Sequence, residues 1–309
     1  MADINRVFCA VQSRDAGDPL AGTGAHAQRN LLISWPSGKW LRSLRRASDM
    51  SEAVVDRIEA VVAAGRRVNL IHRRQQPANR HRIYLMPEKL QLDVEREQLP
   101  DVLDALLNNA PLDRWCASEA PKPLILCCTH GKKDKCCAKF GNATYQSLVK
   151  VVAESGHAFE VWQSSHLGGC RLAASVMVFP STRKYGRLGE ADIMPLLDAE
   201  ANDRPYPPCY RGHSALTPVE QCAEVAALQW LAERNIVARV SIGPIEPGEG
   251  EETITTVSVN WQNRREQGQL LLRCVKSEVL RFDTCADIGP DGPTASAVWR
   301  VQHLKPVPH

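Results

Sequence analysis

The sequence predicts an α/β protein built in three units. Three observations carry this. Short apolar runs bounded by turn residues alternate with stretches of helical spacing up to about residue 203. A proline-rich break follows at 204–208. Beyond residue 236 nearly every apolar run has strand character. The predicted units are an α/β N-terminal unit at 1–120, a compact central unit at 121–203 and a strand-rich α+β unit at 209–309, which can pack with the first. A chain of 309 residues is long enough for two or three cores of this kind.

Taken in order, residues 1–28 read as irregular, with the turn-rich GDPLAGTG at 17–24. RNLLISW at 29–35 reads as a buried strand ended by Pro36. Ser51 is a helix N-cap for 52–64, where Val54, Ile58, Val61 and Val62 keep helical spacing. RVNLIH at 67–72 and the stretches 82–86 and 89–94 are strands. A helix at 98–108 carries Leu99, Val102, Leu103, Leu106 and Leu107 on one side.

The central unit opens with a strand at 124–128. Asp134 caps a helix to about residue 155, strands follow at 158–163, 173–179 and 184–188, and a helix at 190–201 closes the unit. The order β-α-β-turn-β-β-α is that of a thioredoxin-like domain. Thr217, Pro218 and Glu220 then form a capping box for a helix to about residue 234. The rest is a set of strands: VARVSIG, TITTVSVNW, QLLLRCV, EVLRF and SAVWRVQHL, with GPIEPGEGEE at 243–252 as an exposed loop.

Composition narrows the function. The chain is 44% hydrophobic and 24% charged, as in ordinary globular proteins. A net charge of +3 gives no argument for nucleic acid. No apolar run approaches the ~20 residues that span a bilayer, and the N-terminus shows no apolar core of a secretory signal. Eleven cysteines, with Cys127/Cys128 and Cys136/Cys137 adjacent, then point to metal or redox chemistry in a reducing, cytoplasmic compartment.

That chemistry concentrates at 123–170. PLILCCTHGKKDKCCAKFG occupies 123–141 and SSHLGGC occupies 164–170. Cys128 and Cys137 lie nine positions apart across a strand end, a loop and a helix start. His166 and Cys170 lie four apart on a Gly168-Gly169 turn. Four soft or borderline ligands on two loops suit a zinc ion or an iron–sulfur cluster. Structural zinc sites usually pair ligands two to four residues apart at both ends, which the first pair does not do. Asp134 as cap puts Cys137 near the third helical position, where the helix dipole favours a thiolate and an anionic centre.

The motifs Cys128-Thr129-His130-Gly131, Lys133-Asp134 with Cys137, and Ser165-His166-Leu167-Gly168-Gly169 resemble the sucrase/ferredoxin-like family. Its central unit is similar to thioredoxin-like [2Fe-2S] ferredoxins. Tyr185-Gly186-Arg187 continues the resemblance, and weaker similarity reaches 19–23, Trp35-Pro36 and 214–224. The resemblance implies a [2Fe-2S] cluster on Cys128, Cys137, His166 and Cys170, and one-electron transfer by a carrier rather than an enzyme. Relatives read His-x-x-x-His in the second loop, and other thioredoxin-like ferredoxins read Cys-x-x-x-Cys; His166-x-x-x-Cys170 stands between them. Three thiolates and a neutral imidazole would give a net −1 oxidised and −2 reduced, so the potential should lie above that of a four-cysteine ferredoxin.

Two readings from other classes remain open: a thiol–disulfide or peroxide oxidoreductase using the vicinal cysteines, and a zinc-stabilised binding module. The helix lacks the Cys-x-x-Cys of a thioredoxin. Cys127 reads as a buried strand residue and Cys136 as a first-turn helix residue. Cys9, Cys116, Cys209, Cys222, Cys274 and Cys285 read as scattered core or surface thiols. His130 is either a turn residue or a support for the site. Lys132, Lys133, Lys135, Lys139 and Arg171 form a candidate docking patch for an acidic redox partner, against the simpler reading of a solvated face. Arg66, Arg67, Arg73, Arg74, Arg80 and Arg82 read as solvated strand edges, with phosphate binding as the weaker alternative.

Overall fold

The computed structural model describes residues 7–77, 79–248 and 251–308, with the side chains of 251 and 252 left out. Its elements follow the predicted order, with a helix added at the start and two short unpredicted strands, Ser118–Glu119 and Tyr210–His213, added later. Helix α1 (Cys9–Asp15) forms where an irregular segment was expected. It lacks helical periodicity in sequence because its buried face is small: Cys9, Ala10 and Ser13.

Strand β1 (Asn30–Ser34) is buried at every position. Helix α2 (Glu52–Ala63) starts at Ser51, whose Oγ accepts from the Val54 amide at 3.4 Å. Then come β2 (Arg67–His72), β3 (Arg80–Met86), β4 (Leu90–Glu95), α3 (Leu99–Leu107) and the two-residue β5 (Ser118–Glu119). Leu31, Ile33, Val54, Ile58, Leu99 and Leu103 share one core, so both helices cover the same face of these strands.

The central segment runs β6 (Leu124–Cys128), α4 (Asn142–Ser155), β7 (Glu160–Ser164), β8 (Val176–Phe179), β9 (Arg183–Tyr185) and α5 (Ile193–Ala201), the predicted order. The helix before α4 is not regular. Residues 135–136 are helical, and a π-helical stretch, Cys137–Gly141, then leads into α4. Such stretches cluster at functional positions.

After β10 (Tyr210–His213), α6 (Pro218–Glu233) begins at the predicted cap, with the Thr217 amide donating to Glu220 Oε2 at 2.7 Å. Strands β11 (Arg239–Gly248), β12 (Glu251–Gln262), β13 (Gln267–Arg281) and β14 (Thr294–Val307) close the chain. The two runs at 269–275 and 278–282 merge into β13, because Lys276 and Ser277 continue the ladder against Trp299 and Val298. The predicted loop at 243–252 is largely strand: Ile245–Pro247 pair with Val257–Thr255, and 249–250 fall outside the described residues.

The fold is mixed α/β with two sheets. One has ten strands in the order β10-β9-β8-β6-β7-β2-β1-β3-β4-β5, and the other is the antiparallel β11-β12-β13-β14. In the large sheet the N-terminal and central strands meet where β2 pairs antiparallel with β7, Ile71 opposite Ser164. Helix α6 covers the small sheet through Ala223 and Ala227, which pack with Val257, Val259, Leu270 and Leu272.

Candidate metal centre

Strands β6 and β7 are parallel neighbours, with Cys128 opposite Ser164 at their carboxyl ends. Both loops named by the sequence therefore leave from the same edge, side by side. In open α/β sheets this is where ligands bind. The period-2 alternation of β6 divides its residues. Leu124, Leu126 and Cys128 join the core that contains Cys137, His166's neighbour Leu167 and Cys170, while Ile125 and Cys127 join Tyr145 and Leu148 on the other face. Cys127 donates to the Gly141 carbonyl at 3.3 Å, as a core residue. The vicinal pair thus serves two different cores.

The first loop and the helix start are held by close packing. A Cβ at Gly141 would lie 2.0 Å from the Cys128 carbonyl oxygen, so only glycine lets the helix sit against the end of the strand. The cap forms as predicted: Asp134 Oδ1 accepts from the Cys136 amide at 2.7 Å. In the second loop Gly168 and Gly169 have φ of +93° and +79°, which brings the chain back so that Cys170 faces His166.

Of the four predicted ligands, Cys128, Cys137 and His166 offer donor atoms that all lie within 4.8 Å of one another. Cys170 Sγ extends the set, 3.5 Å from His166 Nδ1. The three thiols are buried and His166 is half-buried. The neighbouring Cys137 thiol, and then His166, hold Cys128 well below the usual thiol range against the opposing effect of burial. The same two groups bring Cys170 to about 7. Cys137 moves up, because it stands between two sulfurs that take the charge, Cys128 first and Cys170 second. Burial works to lower His166, and the Cys128 and Cys170 sulfurs outweigh it and hold it at about 9. Thiolate is the form that ligates metal, and this donor set of three thiols and an imidazole fits an iron–sulfur centre or a zinc ion.

His130 supports the site. Its Nε2 meets the Leu41 carbonyl at 2.6 Å and its Nδ1 accepts from the His166 amide at 3.2 Å, a pairing that places the ring proton on Nε2. The N-terminal strands do the same work. Arg67 donates to the His166 carbonyl at 2.7 Å. Asn69 donates to that oxygen at 3.2 Å and to Ser165 Oγ at 3.0 Å. The Leu70 amide also donates to Ser165 Oγ, at 3.0 Å. The second ligand loop is thus fixed by β2 across the joint in the sheet.

Several assignments change. Arg171 is buried, with Nε 2.7 Å from Asp18 and one terminal nitrogen 3.1 Å from Asp283, so it ties the loop to distant segments and is not part of an exposed basic face. The basic cluster of the first unit is not a row of free charges. Arg66 pairs with Glu88 at 2.5 Å, Arg73 with Glu160 at 3.2 Å and Arg82 with Asp93 at 2.6 Å. Cys9, Cys136 and Cys285, read as unrelated thiols, converge on Asp134: each donor atom lies within 4.8 Å of the others. Sequence spacing gave no sign of this, since Cys9 and Cys285 are 276 positions apart.

The family model described as sucrase/ferredoxin-like matches residues 20–212, more than half of the chain. The chain belongs to the sucrase/ferredoxin-like family. The family match includes both of these loops and the strands they leave from, and stops before α6 and the small sheet. No curated protein matches the chain. Solved structures similar to part of it are thioredoxin-like [2Fe-2S] ferredoxins from Aquifex aeolicus. One is 12% identical with a TM-score of 0.26, covering 29% of this chain and 89% of its own. The wild-type protein is 12% identical at 0.26, with 29% and 95% covered. A cysteine-to-serine variant is 12% identical at 0.26, with 28% and 96% covered. No helix among the described residues is long and apolar enough to cross a membrane.

Proposed function

We propose that the protein is a one-electron carrier that binds a [2Fe-2S] cluster on Cys128, Cys137, His166 and Cys170. The observation that carries the reading is the convergence of these four side chains from two loops at the carboxyl ends of adjacent parallel strands. Such a cluster, when bound, supplies a site that accepts and releases single electrons. The protein's own residues make that site specific. His130, Arg67 and Asn69 fix the His166 loop, and Gly141 lets the Cys137 helix reach Cys128.

The surroundings suit an anion. Arg67, Lys184 and Arg211 lie around the second loop and have no carboxylate partner among the described residues. Lys184 and Arg211 are buried; Lys184 donates to the Ala25 carbonyl at 3.1 Å, and Arg211 to the Gly168 carbonyl at 3.2 Å. Burial first, and then Arg211 and Arg67, push Lys184 well below its usual range. Buried cations need a compensating negative charge, and a site of net −1 or −2 provides it. The exposed Lys132 and Lys139 beside the first loop fit an acidic redox partner in a reducing, cytoplasmic setting.

The test is purification without air, followed by metal and sulfide analysis. A reddish-brown protein with about two irons and two sulfides per chain at this site is expected. A colourless protein, with zinc or no metal on these four residues, would overturn the proposal.

A further inference from the structure

We propose that Cys9, Asp134, Cys136 and Cys285 form a second metal site, separate from the first, that binds one zinc ion. The three sulfurs form a nearly equilateral triangle: Cys9 to Cys136 is 3.5 Å, Cys136 to Cys285 is 3.3 Å and Cys285 to Cys9 is 3.5 Å. Thiolates bonded to zinc at about 2.3 Å in a tetrahedron stand about 3.8 Å apart. The triangle is close to that size. An ion about 2.3 Å from each sulfur would sit about 1.2 Å out of their plane. Asp134 offers the fourth donor, an oxygen within 4.8 Å of all three sulfurs. Three thiolates and one carboxylate are zinc ligands by type and by number.

The surroundings are built for ligation. Cys9, Asp134 and Cys136 are buried and Cys285 is partly exposed. Asp134 has no cationic partner among the described residues, although a buried carboxylate is costly without one. Its two oxygens are oriented by the Cys136 and Cys285 amides, both at 2.7 Å. Two sulfurs in turn accept amide hydrogen bonds: Cys285 from the Cys9 amide at 3.3 Å, and Cys136 from the Ala10 amide at 3.4 Å. Bonds of this kind stabilise ligating thiolates. A disulfide would bring one pair to about 2.05 Å and leave the third sulfur out; no pair is singled out here.

On binding, each thiol that is still protonated loses its proton to solvent, and nothing is oxidised or reduced. The ion would join α1, the start of the helix that carries Cys137, and the turn Cys285–Asp287 between β13 and β14. It would therefore tie α1 and the segment between β13 and β14 to the helix that carries Cys137.

The experiment uses the full chain, purified without air from zinc-supplemented medium, with zinc and iron measured together. Wild type should hold about one zinc per chain beside its iron. Cys285→Ser and Cys9→Ser should each lose about one equivalent of zinc and keep their iron. Replacing the exposed Cys116 by Ser should change neither. A second measurement needs no variant: removing zinc from wild type with a chelator should expose three further thiols to a thiol reagent. Equal zinc in wild type and Cys285→Ser would overturn the site. So would iron in place of zinc there, or a disulfide among Cys9, Cys136 and Cys285 in freshly purified protein.

Discussion

Cys136 and Cys137 are neighbours in the chain and belong to different clusters. Cys137 meets Cys128 and His166, while Cys136 meets Cys9 and Cys285. Successive residues on a helix point about 100° apart, so adjacent cysteines at a helix start serve two sites. Asp134, two positions earlier, caps this helix and faces the second cluster.

The mixed ligand set proposed here makes a direct prediction. His166→Cys should retain the cluster and add one negative charge to it. The midpoint potential should fall by on the order of 100 mV. Voltammetry of the two proteins decides this; an unchanged or higher potential in the variant would remove His166 from the ligand set.

His166 is half-buried, so a ring nitrogen not committed to metal can exchange a proton with solvent. Reduction makes the site more negative and raises that nitrogen's proton affinity. Between the histidine's oxidised-state and reduced-state pKa values the potential should then fall as pH rises, by up to about 59 mV per pH unit. His166→Cys should flatten the curve. A wild-type potential that does not move between pH 6 and 9 would sink this prediction.

Gly141 tests how the site is assembled. An added Cβ would lie 2.0 Å from the Cys128 carbonyl oxygen, a backbone atom that cannot rotate away. Gly141→Ala should destabilise the protein by more than about 2 kcal/mol, and lower its iron content, because the helix must back away from β6. Gly38→Ala is the control, since nothing lies within 4 Å of that position. Denaturant unfolding of both variants gives the comparison. A Gly141→Ala protein within about 0.5 kcal/mol of wild type would show that the contact yields easily.

Glu224 gives a pH signature of folding. Burial is the leading cause that pushes its carboxyl from 4.5 up to about 7, against hydrogen bonds from the His213 amide and the Tyr210 hydroxyl. The folded state therefore holds this proton more tightly than the unfolded chain. The stabilisation is complete below about pH 4.5 and is lost as pH rises through about 7. Its size is roughly 3 kcal/mol. The unfolding free energies of wild type and Glu224→Gln in urea should diverge by this amount in total across that interval. Parallel curves would show that the carboxyl ionises normally.

Local pattern carried much of the fold. The alternation in Leu124–Cys128 fixed which cysteine faces which core. The caps at Ser51, Asp134 and Thr217 are where the residue types placed them. Helix α1 was missed because its buried face consists of small residues with weak periodicity. The π-helical stretch at Cys137–Gly141 was missed because it answers to a contact with Cys128, outside the helix.

What the sequence picked out by itself is the set of four residues proposed as ligands. Cys128 with Cys137, and His166 with Cys170, are each close along the chain, and each pair is framed by a strand end and turn residues. Tertiary structure decided everything that depends on distant segments. The β2–β7 joint lets Arg67 and Asn69 hold the His166 loop. The second cysteine cluster draws on residues 127 and 149 positions apart. No periodicity or spacing records contacts of that range. They arise only when packed sheets and helices bring separate stretches of chain to one place.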